Sequence, residues 1–247
     1  MTRRRVGRRR VLAALGSGTL ALAGCLGAGN GRSDGSGMTD RAGTDGTDGE
    51  GNATGTAAQG TPDHTVWEGI DGQPAQGPEV GAATATVVAF EDPSCPRCAA
   101  FHRETVPRLL SDLVEPGTAT YVVRPYPIVY EWGKPATRAL WATYEQDAES
   151  FWGLLDHYFR TQGRFDSDNV VDLTRSWLEA ETSVDVEAVV EAASADGFPE
   201  PVQTNLDVGD RANVSGTPTV FLFRDGAYRT RATGSVSYDL VASALNV

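Results

Sequence analysis

The stretch Phe90-Glu91-Asp92-Pro93-Ser94-Cys95-Pro96-Arg97-Cys98 decides how the rest of the chain is read. Two cysteines two residues apart can form and break a disulfide with each other. Before them, residues 82–90 are apolar, rich in β-branched side chains and free of charge, which predicts a buried strand. Pro93 ends it. From Cys95 to Val114, the residues Cys98, Phe101, Val106, Leu109, Leu110 and Leu113 recur at near-helical spacing. Pro96 sits in the first turn of that helix, where its missing N–H costs nothing. Pro107 predicts a kink, and Pro116-Gly117 the end. Residues 118–124 then read as a second strand, completing a right-handed strand–helix–strand unit.

Further along, helical patterns cover residues 135–144, 151–161, 167–180, 184–195 and 199–211. Trp141, Tyr144, Phe151, Trp152, Tyr158, Phe159 and Trp177 are available as their core. Val214-Ser215-Gly216-Thr217-Pro218-Thr219-Val220 leads into a strand at 219–223. Asp225-Gly226 is a hairpin signal, with a partner strand at 228–233 and a closing helix at 236–245. No internal repeat is evident.

In this order, the Cys-Pro-Arg-Cys motif, the helical block and the Gly-Thr-Pro-Thr-Val segment resemble the thioredoxin superfamily. The specific likeness is to its DsbA-like branch, in which a helical domain is inserted into the thioredoxin fold. The resemblance covers most of residues 80–247 and implies an α/β fold with the helical insertion at about 130–197. It implies a protein dithiol–disulfide oxidoreductase that needs no cofactor beyond the redox-active disulfide Cys95–Cys98. Cys95 at the helix N-terminus would be the nucleophile, because free N–H groups and the positive dipole end favour a thiolate. Arg97 would add a cation beside it, with Pro96 the other residue between the thiols. Cys98, one turn further in, would be the resolving thiol. Pro218 matches the family's cis-proline, and Thr217 with Pro218 would meet an extended substrate chain. Many members carry a buried acid six residues before the first cysteine, and here that position is Ala89. Glu91 and Asp92, nearer the motif, are the alternatives for that acid's proton-moving role but are expected as solvated loop charges; His102, on a helical face similar to that of Cys95, is expected as a surface histidine rather than a proton-transfer group.

The formal net charge is -12, yet six arginines precede position 25 and every acidic residue follows it. From Cys25 onward the balance is 15 basic residues (21 less 6) against 33 acidic ones. Nucleic acid is thereby disfavoured as a partner, since phosphate binding needs clustered cations. The chain holds a single lysine, Lys134. Acid excess with almost no lysine looks like a haloarchaeal protein, for which about 1 M salt screens charge beyond about 3 Å; a GC-rich genome is the alternative source of the arginine bias.

Residues 1–24 read as an address. Arg8-Arg9-Arg10-Val11-Leu12 resembles a twin-arginine (Tat) signal, and the apolar run that follows is shorter than the roughly 20 residues a membrane span needs. Leu22-Ala23-Gly24-Cys25 resembles a lipobox, which implies lipidation of Cys25 and anchoring to the outer face of the membrane. Residues 25–62, rich in Gly, Thr and Asp, read as a disordered tether before a domain spanning 63–247. The sequons at Asn52 and Asn213 carry little weight.

Implied partners are cysteine-containing exported proteins and a redox partner that re-oxidises or reduces the pair. The direction of electron flow stays open between an oxidase and a reductase or isomerase. A zinc site is the first rival, but the third cysteine is Cys25, and His64, His102 and His157 lack ligand spacing, so no metal is expected. A non-catalytic surface lipoprotein is the second rival.

Overall fold

In the computed structural model, which describes residues 63–247, the apolar run before the cysteines is a central strand. The Tat-like segment, Cys25, and the 25–62 tether with Asn52 lie outside the described residues. Five strands form one sheet: β1 (Ala75–Gln76), β2 (Ala85–Glu91), β3 (Ala119–Pro125), β4 (Thr219–Arg224) and β5 (Ala227–Thr233), ordered β1-β3-β2-β4-β5. β2 and β3 run parallel, with Val87 opposite Tyr121, and every residue of both is buried. Burial on both faces explains why they read as near-continuous apolar runs. β4 pairs antiparallel with β2 and with β5. The β4–β5 turn has Asp225 and Gly226 at φ 51° and 74°, the left-handed conformation that Asp-Gly supplies in tight hairpins.

Among the described residues there are eight α-helices: α1 (Pro96–Glu104), α2 (Val106–Leu109), α3 (Gly133–Tyr144), α4 (Ala148–Thr161), α5 (Val170–Glu181), α6 (Val186–Ser194), α7 (Glu200–Arg211) and α8 (Tyr238–Leu245). The odd residues of β2, Val87 and Ala89, join Cys98, Leu109, Tyr121, Phe151, Phe159 and Val241 in the larger core. The even residues, Val88 and Phe90, join Val66, Trp67, Tyr126 and Val208 on the opposite face. This division follows from the two-residue period of a strand. Helices α3 to α6 are the block inserted between β3 and α7. Phe151, Tyr158 and Phe159 are fully buried there, while Tyr144, Trp152 and Trp177 pack on its margin.

The single kinked helix expected over 95–114 is instead three pieces. α1 ends at Glu104, α2 starts at Val106, and a π-helical turn covers Leu110–Val114. Pro107 supplies no N–H to the ladder, and the Thr105 hydroxyl donates to the Val236 carbonyl at 2.7 Å, turning the chain. β1 and a 3₁₀ turn at Thr65–Trp67 are too short to leave a periodic signal. Arg124, at the end of a run read only as strand, is wholly buried. Its guanidinium donates to Asn205 Oδ1 at 2.8 Å and to the Val66 and Glu68 carbonyls at 2.5 and 2.7 Å, tying the Thr65–Trp67 turn and α7 to β3. Desolvation lowers its pKa to about 10, which still leaves it charged at neutral pH.

Candidate active site

The strand β2 delivers residues 92–95 to the N-terminus of α1, and that junction shapes both thiols. Both are free in this structure. Cys95 is the N-cap residue, extended at φ -79° and ψ 120°, with Pro96 in the first turn of the helix. Its Sγ donates to the Thr217 carbonyl at 3.2 Å. The pKa of Cys95 falls to about 6. The largest cause is a hydrogen bond from the Cys98 thiol, outweighing the opposing effect of burial, with help from Thr217 and the backbone N–H groups of Cys98 and Arg97. The Thr217 hydroxyl is buried without another partner, so it is free to donate to the sulfur once that is ionised. Cys98 is fully buried, and desolvation raises its pKa well above the usual thiol range.

The Thr217–Pro218 peptide bond is cis, and both residues are buried at the start of β4, against Cys95. Pro96 and Arg97 are exposed. Arg97 reaches Cys95 through its backbone N–H, while its guanidinium lies by Gly234, where a built Cβ would sit 3.6 Å from Nη1.

Asp92 and Glu91 are not the solvated loop charges the sequence suggests; they are 0% and 1% exposed. Asp92 Oδ1 accepts from the Ser94 N–H and hydroxyl at 2.7 and 2.6 Å, and Oδ2 from the Ile128 and Val129 N–H groups at 2.8 and 2.7 Å. Burial raises its pKa, and these bonds oppose the rise. The carboxylate thus pins the cysteine turn to the loop after β3. Gly133 passes so close that a Cβ there would sit 2.6 Å from Asp92 Oδ1 and 2.7 Å from Ser94 Oγ. From the inserted block, Gln162 Nε2 donates to the Pro93 and Cys95 carbonyls at 2.8 and 3.0 Å.

His102 is not a surface histidine either. Its side chain is 11% exposed, its Nε2 lies 3.0 Å from Glu91 Oε2, and its ring packs on Phe159 at 4.3 Å between centroids. Tyr121 donates its hydroxyl to Glu91 Oε1. Sequence reasoning weighed Glu91 and His102 singly but missed Tyr121 and the grouping, because its members come from β2, α1 and β3. The available signal was periodicity: Glu91 shares a strand face with Ala89, and His102 follows Cys98 by four residues on a helix.

A cis-proline facing a Cys-x-x-Cys pair at a helix N-terminus, on a sheet of this order, is one arrangement, and a family profile described as thioredoxin matches residues 72–230. The chain belongs to the thioredoxin family. Among curated relatives, disulfide bond formation protein D of Bacillus subtilis is 25% identical over 154 residues, covering 62% of this chain and 68% of the relative. A probable disulfide bond formation protein D of Bacillus cereus is 26% identical over 142 residues, covering 57% and 66%. Among solved structures, oxidised BdbD from Bacillus subtilis superposes with a TM-score of 0.63 at 23% identity, covering 76% of this chain and 95% of that one. Chlamydia trachomatis DsbA gives 0.58 at 18% identity, covering 70% and 88%. The fold is therefore a thioredoxin fold carrying a DsbA-like helical insertion.

Proposed function

We propose that this chain is a thiol–disulfide oxidoreductase working outside the cytoplasm, and that it oxidises dithiols of exported proteins through Cys95 and Cys98. The observation that carries this reading is the asymmetry of the thiols: Cys95 with a pKa of about 6, Cys98 buried and raised. In the oxidised form, a client thiolate attacks Cys95 Sγ, the Cys95–Cys98 bond breaks, and Cys98 departs with the electron pair. The client's second thiolate then attacks the mixed disulfide, and Cys95 leaves as a thiolate. A low pKa makes Cys95 a good leaving group and stabilises the reduced enzyme, so the disulfide is a stronger oxidant. A redox partner then restores the disulfide.

Thr217 and Pro218 are the assigned contacts for the client backbone. Beside Pro96, a cavity of about 520 Å³ lined by Tyr130, Trp132 and Phe165 adjoins the exposed Ile128 and Val129, an apolar surface suited to an unfolded client. Among the described residues no helix is long and apolar enough to cross a membrane. Attachment through a lipidated Cys25, after Tat export and removal of residues 1–24, is the anchoring we assign, with residues 25–62 as the tether to the 63–247 domain.

Equilibration with glutathione redox buffers tests the direction of electron flow. The oxidase reading expects a potential more oxidising than about -200 mV; a value near thioredoxin's, about -270 mV, makes the chain a reductase. Loss of all dithiol oxidation in Cys95→Ser is also required.

A further inference from the structure

Two cavities adjoin the surface formed by Cys95 and Pro218, and their chemistry differs. The one beside Pro96, lined by Tyr130, Trp132 and Phe165, is aromatic. The other, of about 330 Å³, lies between α1 and the β5–α8 loop. Its lining is charged or hydroxylic at Arg97, Glu104, Thr105, Arg108, Ser237 and Asp239. It meets the cis-proline through Gly234, whose N–H donates to the Pro218 carbonyl at 2.8 Å. Gly234 has φ 87°, and a Cβ there would sit 3.6 Å from Arg97 Nη1, so the guanidinium reaches from α1 to this loop.

The charges of this cavity are not equivalent. Arg108 stacks on Tyr238 at 3.9 Å and lies 3.5 Å from Asp239 and 3.8 Å from Asp112. Arg97 is exposed and makes no ion pair among the described residues. Glu104 follows Arg97 by seven residues, about 10 Å along the helix axis. The end of the cavity nearest Cys95 is therefore positive. That sign runs against the rest of the chain, which from Cys25 onward has 15 basic residues (21 less 6) against 33 acidic ones and repels acidic segments at a distance.

We infer that Arg97 and this cavity form a subsite for an acidic side chain next to the reacting cysteine of the client. This rests on the oxidoreductase reading above and adds a substrate preference to it. A client laid on Thr217 and Pro218 passes Gly234, where a glutamate or aspartate meets the Arg97 guanidinium. The planar fork offers parallel N–H donors that fit a carboxylate. Arg97 thus selects the client, while the exchange of disulfide for thiols stays with Cys95 and Cys98.

Blocked peptides with two cysteines, each flanked on both sides by Glu, Gln or Lys, test this against the oxidised protein. Acid-quenched samples resolved by chromatography give the rate of disulfide transfer to each peptide. The effect of the flanking residues on the peptide's own thiols cancels when each variant's Glu-to-Lys rate ratio is divided by that of the wild type. Arg97→Gln should lower this ratio about threefold at about 0.1 M KCl, the size expected of an exposed ion pair, with the loss shrinking at about 1 M KCl. Arg97→Lys should restore most of it. Arg103→Gln removes the same charge from the exposed face of α1 outside the cavity and should leave the ratio within about 1.5-fold. An equal change for all three peptides in Arg97→Gln would place the side chain's effect at the thiol and refute the subsite. An unchanged ratio, or an equal fall in Arg103→Gln, would refute it as well. If the wild type oxidises none of the peptides, or Cys95→Ser still oxidises them, the oxidoreductase reading itself is overturned.

Discussion

Cys95 and Cys98 carry the same side chain three positions apart, yet their surroundings pull the two thiols in opposite directions. Cys95 caps α1, where the Cys98 thiol, Thr217 and the first turn's amides favour its thiolate and lower its pKa. Cys98 faces the apolar core and the Glu91 charge, which disfavour its own. Because the Cys98 thiol is the largest stabiliser of the Cys95 thiolate, removing it has a directional consequence. Alkylation of the reduced wild-type protein by iodoacetamide should rise with pH through a midpoint near 6, since the thiolate is the reactive form and its pKa is lowered. In Cys98→Ala the midpoint should move up towards the ordinary thiol value, about 8.5. A midpoint that stays near 6 would mean the helix N-terminus and Thr217 suffice without Cys98. The two cysteines and Pro218 could be read from the sequence as a motif. The guanidinium of Arg97 could not be placed that way: side chains at successive helical positions point to different faces, and this one turns towards Gly234.

At the level of elements, the active-site turn is held by groups that reach it from outside the motif. Asp92 joins the β2–α1 turn to the loop before α3 through four hydrogen bonds, and Gln162 joins the turn to the end of α4. Asp92→Ala should therefore cost about 2–3 kcal/mol of stability, because it strands buried donors that a charged acceptor had satisfied. Chemical denaturation of the reduced protein measures this, and a loss below about 0.5 kcal/mol would rank Asp92 with ordinary surface substitutions. Most helices and strands were legible, because their periodicity records which face is buried. The break between α1 and α2 was legible as a proline, whereas the π-helical turn that follows α2 was not. The Asp92 clamp was hidden because a charged residue next to a proline has the composition of an exposed loop, and only the returning 128–129 amides reveal it as an interior acceptor.

The whole molecule carries -12, and the portion from Cys25 carries 15 basic against 33 acidic residues, so its parts repel one another at low ionic strength. Raising KCl from about 0.1 M to about 1 M shortens the screening length from about 10 Å to about 3 Å and should raise the melting temperature. A melting temperature flat across that range would show that the acid excess lies too far apart to destabilise the fold. Among the described residues one arginine, Arg124, is fully buried, and each of its hydrogen bonds is to a neutral acceptor. Its role was invisible in the sequence, since an arginine at the end of a strand ordinarily points to solvent.

By itself the sequence determined the order of strands and helices, the thiol pair at a helix start, the proline before β4 and the large acid excess. These are properties of local pattern, and periodicity, proline geometry and charge count express them directly. Only the tertiary structure decided that Glu91, Asp92 and His102 are interior groups and that Tyr121 stands among them. Burial and hydrogen-bond partners come from residues far apart in the chain, brought together when β2, β3 and α1 pack, and no single segment encodes that meeting.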